Sequence, residues 1–335
     1  MTLPVALAVD GGAYKTDLAL VRADGALLAL VQGAPTSPHQ LGLAGCLRVL
    51  EALLAEAQAA ADGPIEIAHV MLAGADLPVE EQALQEAIDA RGWAARTSVR
   101  NDTFAVLRAG TDRGWGVAVV CGSGINCVGV SPDGRHARFP SLGAITGDWG
   151  GGGDVGLAAL SAAARSEDGR GPQTSLQRLV PAHFGMSSPQ EVAEAIHLGS
   201  LEERRVLELA PLVLAESAQD AVAGALVDRL ADEVVAFARV ALTRLELAHA
   251  DVEVILGGGL MRAGNGRLEA GIDAGLQAVG PRIETRVVAE PPIVGAALLG
   301  LDDLGATAPA RDRARAELAG AAGDGLAMTG RTSDG

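Results

Sequence analysis

The stretch running from Leu3 through Leu3-Pro4-Val5-Ala6-Leu7-Ala8-Val9-Asp10-Gly11-Gly12-Ala13-Tyr14-Lys15-Thr16-Asp17 to Arg22 decides the fold. Leu3 to Val9 is short, apolar and partly β-branched, which predicts a buried strand, and it ends in the tight turn Asp10-Gly11-Gly12. Asp17 to Arg22 continues as a second strand, and Ala23-Asp24-Gly25 turns into a third at Ala26 to Val31. An antiparallel meander with a glycine turn at its tip therefore opens the chain. The turn lacks the GxxxxGK[ST] spacing of a Walker A loop and leads into a strand instead of a helix, so any phosphate chemistry there would come from hairpin amides. Lys15 is the only lysine of the chain, every other basic residue being arginine. A compact ammonium inside a glycine-rich turn suits a phosphate as a point charge. Asp10, at the strand end, suits magnesium held through water.

A second unit of the same layout lies roughly 110 residues on: Gly116 to Cys121, the turn Gly122-Ser123-Gly124, Asn126 to Val130, and the turn Ser131-Pro132-Asp133-Gly134. Two strand–glycine-turn–strand units predict a duplicated domain with a ligand between the copies. Between them, Leu43, Leu47, Leu50 and Leu54 form a helical stripe that closes before Gly63-Pro64. Ile67 to Ala73 reads as a strand, Val79 to Ala90 as a helix, Ala95 to Arg100 as a strand, and Thr103 to Ala109 as a helix with Asn101-Asp102 at its start. For Asp102 alone an N-cap is the plainest reading. Further on, Val222, Leu226, Leu230, Val234, Phe237, Ala241 and Leu245 stripe a long helix, Val252 to Leu256 runs into Gly257-Gly258-Gly259, and Ile293 to Leu301 is helical after Pro291-Pro292. The run Gly143 through Gly156 is too glycine-dense for a core element, and such runs flex or bring backbone close to a ligand. The tail from Gly305 lacks apolar periodicity, so 305–335 is expected to be mobile.

Composition sets limits on the function. A chain of 335 residues predicts about two domains. Net charge −16, without a Lys/Arg cluster interleaved with aromatics, argues against nucleic acid. The apolar stretch before Asp10 is too short for a signal peptide, and nowhere do 18 apolar residues run uninterrupted, so no membrane association and a cytoplasmic location are expected. Three scattered cysteines, Cys46, Cys121 and Cys127, fit a reducing compartment, and the six histidines lack zinc-ligand spacing.

Taken in order, these segments resemble the nucleotide-site elements of the superfamily shared by actin, sugar kinases and heat-shock chaperone ATPases. Asp10 to Asp17 is similar to the first phosphate loop, Asn101 to Ala109 to the first connecting helix, and Val117 to Val130 to the second phosphate loop. Val254 to Gly259 is similar to the adenosine strand and loop, and Ile293 to Leu301 to the second connecting helix. The likeness covers roughly residues 3 to 303 and is greatest to N-acetylglucosamine kinases and the related activating ATPases of acyl-CoA reductases and dehydratases.

The resemblance implies an α/β fold of two ribonuclease H-like domains, each a mixed sheet with flanking helices, with an ATP cleft between them. The expected boundaries are 1–114, completed by the helix near 293–303, and 115–292. It implies ATP-dependent phosphorylation of an amino sugar hydroxyl, foremost the 6-hydroxyl of N-acetylglucosamine, with Asp102 as catalytic base. It further implies Asp10 organising Mg2+, and Gly11, Gly12, Lys15, Thr16, Gly122, Ser123, Gly124, Gly257, Gly258 and Gly259 meeting the nucleotide. Ser37, Asn101, Asn126, Gly147 and Asp148 would meet the sugar, and Trp149 could stack on a sugar face. Homodimers are common among such relatives.

Three positions depart from the pattern: Ile125 where a hydroxyl is usual, Pro140-Ser141-Leu142-Gly143 in place of Gly-Gly-Trp-Gly, and Ser37 in place of an asparagine. A serine reaches less far and offers fewer hydrogen bonds. Two other readings stay open: an ATPase activating a partner enzyme, whose relatives share an iron–sulfur cluster between subunits, and a non-catalytic sugar-responsive protein.

Overall fold

A computed structural model of the chain describes residues 2–61 and 63–329. The chain divides into two compact units, one holding the segments up to Trp115 and from Val288, the other Gly116–Val287. In the first unit β1 (Val5–Gly11), β2 (Thr16–Arg22) and β3 (Leu27–Gly33) form the meander, followed by α1 (Pro38–Gln58), β4 (Ile65–Leu72), α2 (Pro78–Asp89), β5 (Arg96–Asn101) and α3 (Thr103–Gly110). The sheet order is β3-β2-β1-β4-β5, antiparallel across β3, β2 and β1 and parallel from β1 through β4 to β5. Val5 to Val9 are fully buried, as a central strand covered on both faces must be. The leucine stripe of α1 packs Leu47, Leu50 and Leu54 against Leu7, Leu20 and Leu72 in one core cluster. The helix begins earlier than the stripe predicts. Pro38 opens a first turn, and Gly42, at φ 65° and ψ 169°, breaks it from the long segment behind.

The second unit repeats the plan. It contains β6 (Gly116–Cys121), β7 (Ile125–Val130), β8 (His136–Arg138), α4 (Gly151–Glu167), α5 (Leu176–His183), α6 (Pro189–His197), α7 (Ala210–Glu216), α8 (Ala221–Arg244), β9 (Val252–Gly257), α9 (Gly259–Arg262), α10 (Gly266–Val279) and β10 (Ile283–Val287). Its order β10-β9-β6-β7-β8 carries the same pattern, with β9 and β10 parallel to β6, and β7 and β8 antiparallel. The carboxylate of Asp220 caps α8 by accepting the N–H groups of Val222 and Ala223 at 2.8 and 2.9 Å, and Val227, Leu230, Val234 and Phe237 face the core.

The chain then returns to the first unit as α11 (Pro292–Asp303) and α12 (Ala308–Thr329). Helix α11 crosses α3 so closely that a Cβ on Gly295 would lie 1.8 Å from the Ala105 carbonyl oxygen. The expectation of a mobile tail is corrected for 308–318, which dock on the first unit. Helix α12 buries Ala314 and Leu318 completely, Ala310 nearly so, and Glu317 accepts the N–H of Leu27 at 2.8 Å. Arginines and alanines hid this docked face, because small buried side chains leave a weak periodic signal. Residues 330–335 lie outside the described residues. Among the described residues no helix is long and apolar enough to cross a membrane.

Candidate functional site

In the first unit, the pairing of Gly11 with Leu72 and of Leu72 with Asn101 brings the carboxyl ends of three parallel strands to one edge. That edge carries Asp10, the turn after β4, and Asp102. Carboxyl ends of parallel strands are where ligands bind in open α/β sheets. Asp102 opens α3 without making a capping bond, since Asn101 does that work: its Oδ1 accepts the N–H and hydroxyl of Thr103 at 3.0 and 2.6 Å. Burial pushes the Asp102 carboxyl up to about 6, the charge of Asp76 pushes the same way, and the nearby N–H groups of Thr103 and Asp102 pull against both. A carboxylate that caps no helix and titrates near neutrality suits a general base.

Asp10 is pushed up to about 8, first by burial and then by the charges of Asp102 and Asp17, with Lys15 opposing. Lys15 is half-exposed and pairs with Asp17 at 2.8 Å, so the only lysine already has one anionic partner inside the hairpin. Thr16 is fully buried, and its hydroxyl bonds the Ala34 carbonyl at 2.8 Å and the Thr36 hydroxyl at 2.9 Å. That arrangement makes it a support of the hairpin. Gly11 has no room for a side chain, a Cβ there falling 2.2 Å from Thr36 Oγ1, and the Gly12 N–H closes the turn onto the Lys15 carbonyl at 2.9 Å. Ser37 is buried at the start of α1 and makes no capping bond with its side chain.

Asn101 has a structural task at this edge. Its amide nitrogen donates to Asp76 Oδ1 at 2.8 Å while its oxygen holds Thr103, which makes it the scaffold that orients Asp102. Asp76 itself was not singled out in the sequence. Its signal was available: like Asp102, it is an acidic residue in a turn that follows a β-strand.

In the second unit, Gly258 (φ 93°) presses on the end of β6, where a Cβ would fall 2.1 Å from the Cys121 carbonyl oxygen. Gly257 lies in β9 opposite Val120, and Gly259 opens α9. Nothing lies within 4 Å of a Cβ placed on Gly122, Gly124 or Gly259. The turn Gly122-Ser123-Gly124 is supported from behind by Gly151-Gly152-Gly153 of the glycine-dense run, which form the first turn of α4. The N–H groups of Gly152 and Gly153 donate to the Gly122 and Ser123 carbonyls at 2.8 and 2.9 Å, and a Cβ on Gly151 would lie 2.3 Å from Gly124 O. Backbone meets backbone here, so side chains are excluded. Ile125 packs on Gly150, which is the local role of that departure.

Asn126 Oδ1 accepts the Ser141 hydroxyl at 2.6 Å and the Cys127 N–H at 2.7 Å. Gly147, at φ 82°, precedes Asp148, which accepts the Thr146 hydroxyl. One face of the Trp149 ring is taken by the Arg229 guanidinium, 3.9 Å from the ring centroid, and the side chain is partly exposed. A cavity of about 440 Å3 opens beside Ser123, lined also by Asp154, Leu157, Arg204 and Leu207.

The chain is 27% identical over 210 residues to the N-acetylmuramic acid/N-acetylglucosamine kinase of Clostridium acetobutylicum, covering 62% of this chain and 69% of that one. It is 23% identical over 204 residues to the N-acetyl-D-glucosamine kinase of Dictyostelium discoideum, covering 57% and 64% of the two chains. A crystal structure assigned as an N-acetylglucosamine kinase, from Chromobacterium violaceum, superposes with a TM-score of 0.69 at 25% identity, over 89% of this chain and 99% of that one. Residues 7–300 match the BadF/BadG/BcrA/BcrD ATPase family. The chain belongs to the BadF/BadG/BcrA/BcrD ATPase family.

Proposed function

We propose that the chain is an ATP-dependent kinase acting on a hydroxyl of an amino sugar, with the 6-hydroxyl of N-acetylglucosamine as the favoured acceptor. The observation that carries this reading is Asp102, a carboxylate at a helix start that makes no capping bond and is pushed up to about 6. The sugar kinase relatives support the acceptor class.

The residues fit a magnesium–nucleotide complex. Asp10 offers a hard oxygen donor crowded by Asp102 and Asp17, with Lys15 the cation acting against them, a charge balance that a divalent ion would relieve. Bound ATP and Mg2+ supply the γ-phosphoryl group and the positive charge that offsets its oxygens. Asp10 would hold the metal, and Gly11, Gly12, Lys15, Gly122, Ser123, Gly124, Gly257, Gly258 and Gly259 would meet the nucleotide, with Thr16 bracing the hairpin from within. Asp102 accepts the proton of the acceptor hydroxyl as that oxygen bonds to phosphorus and the bond to the leaving ADP breaks. Asn101 keeps Asp102 in place through Thr103 and Asp76, while Ser37, Asn126, Gly147 and Asp148 would position the sugar.

An ATPase that activates a partner through a shared iron–sulfur cluster finds less support. Cys46, Cys121 and Cys127 are buried, and burial pushes the Cys46 and Cys121 thiols up to about 11 and about 12 and the Cys127 thiol up as well, which opposes ligation. The test is an ADP-release assay with ATP and magnesium over hexoses, hexosamines and N-acetylhexosamines, with product mass recorded. ADP formed only with an amino sugar, and a product one phosphoryl group heavier, is the expected result. ADP formed at the same rate without sugar would overturn it.

A further inference from the structure

We propose that the first turns of α1 and α2 form a binding site for a divalent transition-metal ion of the zinc class, with His39 Nε2, an Asp76 carboxylate oxygen and Glu80 Oε1 as its protein ligands. These three donors lie within 4.8 Å of one another, although they come from two separate stretches of chain. His39 Nε2 and Glu80 Oε1 are 2.9 Å apart. With metal–donor bonds of about 2.0–2.2 Å, two ligands at a right angle on one ion lie about 2.9 Å apart and two at a tetrahedral angle about 3.4 Å apart. The pair is joined by a hydrogen bond at this distance and would open by about half an ångström to reach the tetrahedral spacing.

Each donor is held from behind, as ligating side chains usually are. Glu80 Oε2 accepts the N–H groups of Asp76 and Leu77 at 3.0 and 2.9 Å, which fixes that carboxylate and leaves Oε1 directed at His39. Asp76 Oδ1 is bonded to the Asn101 amide at 2.8 Å. His39 sits in the short turn that Gly42 separates from the rest of α1, with its imidazole beside the backbone of Gly74, which turns at φ 84°. The side chain of His39 is half-exposed, so the remaining coordination positions open to water. Two carboxylates and one imidazole select a borderline ion over magnesium, which prefers oxygen ligands alone. The site uses none of the residues proposed to hold the nucleotide or its magnesium.

The experiment is a titration of the full chain with Co2+, read by visible absorption, and with Zn2+, read by calorimetry. Both are run in excess Mg2+ without nucleotide or sugar, so the readout is independent of any catalytic activity. One ion per chain is expected, with the d–d absorption of a four- or five-coordinate cobalt, and His39→Ala should weaken Zn2+ affinity by roughly tenfold or more. His39→Gln, which keeps the size and polarity of this half-exposed position, should lose affinity equally with an unchanged thermal midpoint. Absence of a one-to-one complex, retention of full affinity by both variants, or displacement of the ion by the excess Mg2+ would each overturn the assignment.

Discussion

Replacing Asp102 by Asn separates a catalytic carboxylate from a structural one, because the two roles predict opposite signs. The carboxyl is raised from 3.8 to about 6, chiefly by burial and then by Asp76. That rise corresponds to a cost of roughly 3 kcal/mol for ionising the group in the folded protein, as an upper bound. Below pH 3.8 the carboxyl is protonated in both folded and unfolded chains, and the cost is absent. As pH rises from 3.8 through 6 stability is lost, and above 6 the full cost persists. Asn at position 102 keeps the shape and never ionises, so at pH 7.5 the variant should unfold several degrees higher than the parent. The same change removes the proton acceptor, a group contributing about 10²–10⁴ in rate, or roughly 3–5 kcal/mol of barrier. The assay pairs kcat for sugar phosphorylation with the thermal midpoint, and adds ATP affinity, which should change little. In the parent, kcat/KM should fall tenfold per pH unit below about 6, where an ordinary aspartate would place that limb near 3.8. A variant that is less stable, or retains kcat within tenfold, or a parent whose acid limb sits near 4, would refute the reasoning.

The other predictions follow from single contacts. Asp10→Asn should abolish the gain in ATP affinity that magnesium confers while leaving metal-free nucleotide binding nearly unchanged, measured by calorimetry with and without the ion. Gly151→Ala, which places a Cβ 2.3 Å from the Gly124 carbonyl at a φ of 75°, should cost roughly 2–4 kcal/mol and lower the thermal midpoint. A neutral outcome would mean that α4 does not press on the Gly122–Gly124 turn as described. Leu318→Ala should destabilise by about 2–5 kcal/mol in urea unfolding, because the side chain is fully buried. No loss would place the face of α12 in solvent.

Much of the fold is legible because the informative signals are local. The apolar runs before Asp10 and Cys121, each broken by glycine and followed by alternating residues, are the two meanders of the two sheets. The stripe at Leu43 to Leu54 marks α1, although its first turn, set off by Gly42, carries no apolar repeat. Interactions that join distant stretches were hidden. The stacking of Arg229 on Trp149 and the bond between Asn101 and Asp76 depend on tertiary neighbours that no spacing reveals. Helix α4 was missed for a related reason. Glycine is a poor helix former, so Gly151-Gly152-Gly153 and Gly156 read as a loop until the backbone of Gly124 and Val206 is seen where side chains of Gly151 and Gly156 would be.

Strand β3 is the outermost strand of its sheet, and the outward N–H of Leu27 is taken by the Glu317 carboxylate of α12. An uncovered sheet edge is a template for pairing with another chain, and natural proteins blunt it with charge or with a covering helix. Here the last helix does both, laying a carboxylate on the edge while Ala310 closes over Gly25 at the hairpin tip. Protein ended before residue 308 would keep every residue proposed to bind nucleotide or sugar, yet bare that edge. Such a shortened chain should fail first by self-association in storage or on mild heating, and this boundary is the one to respect when the chain is trimmed for crystallisation or fused to a tag.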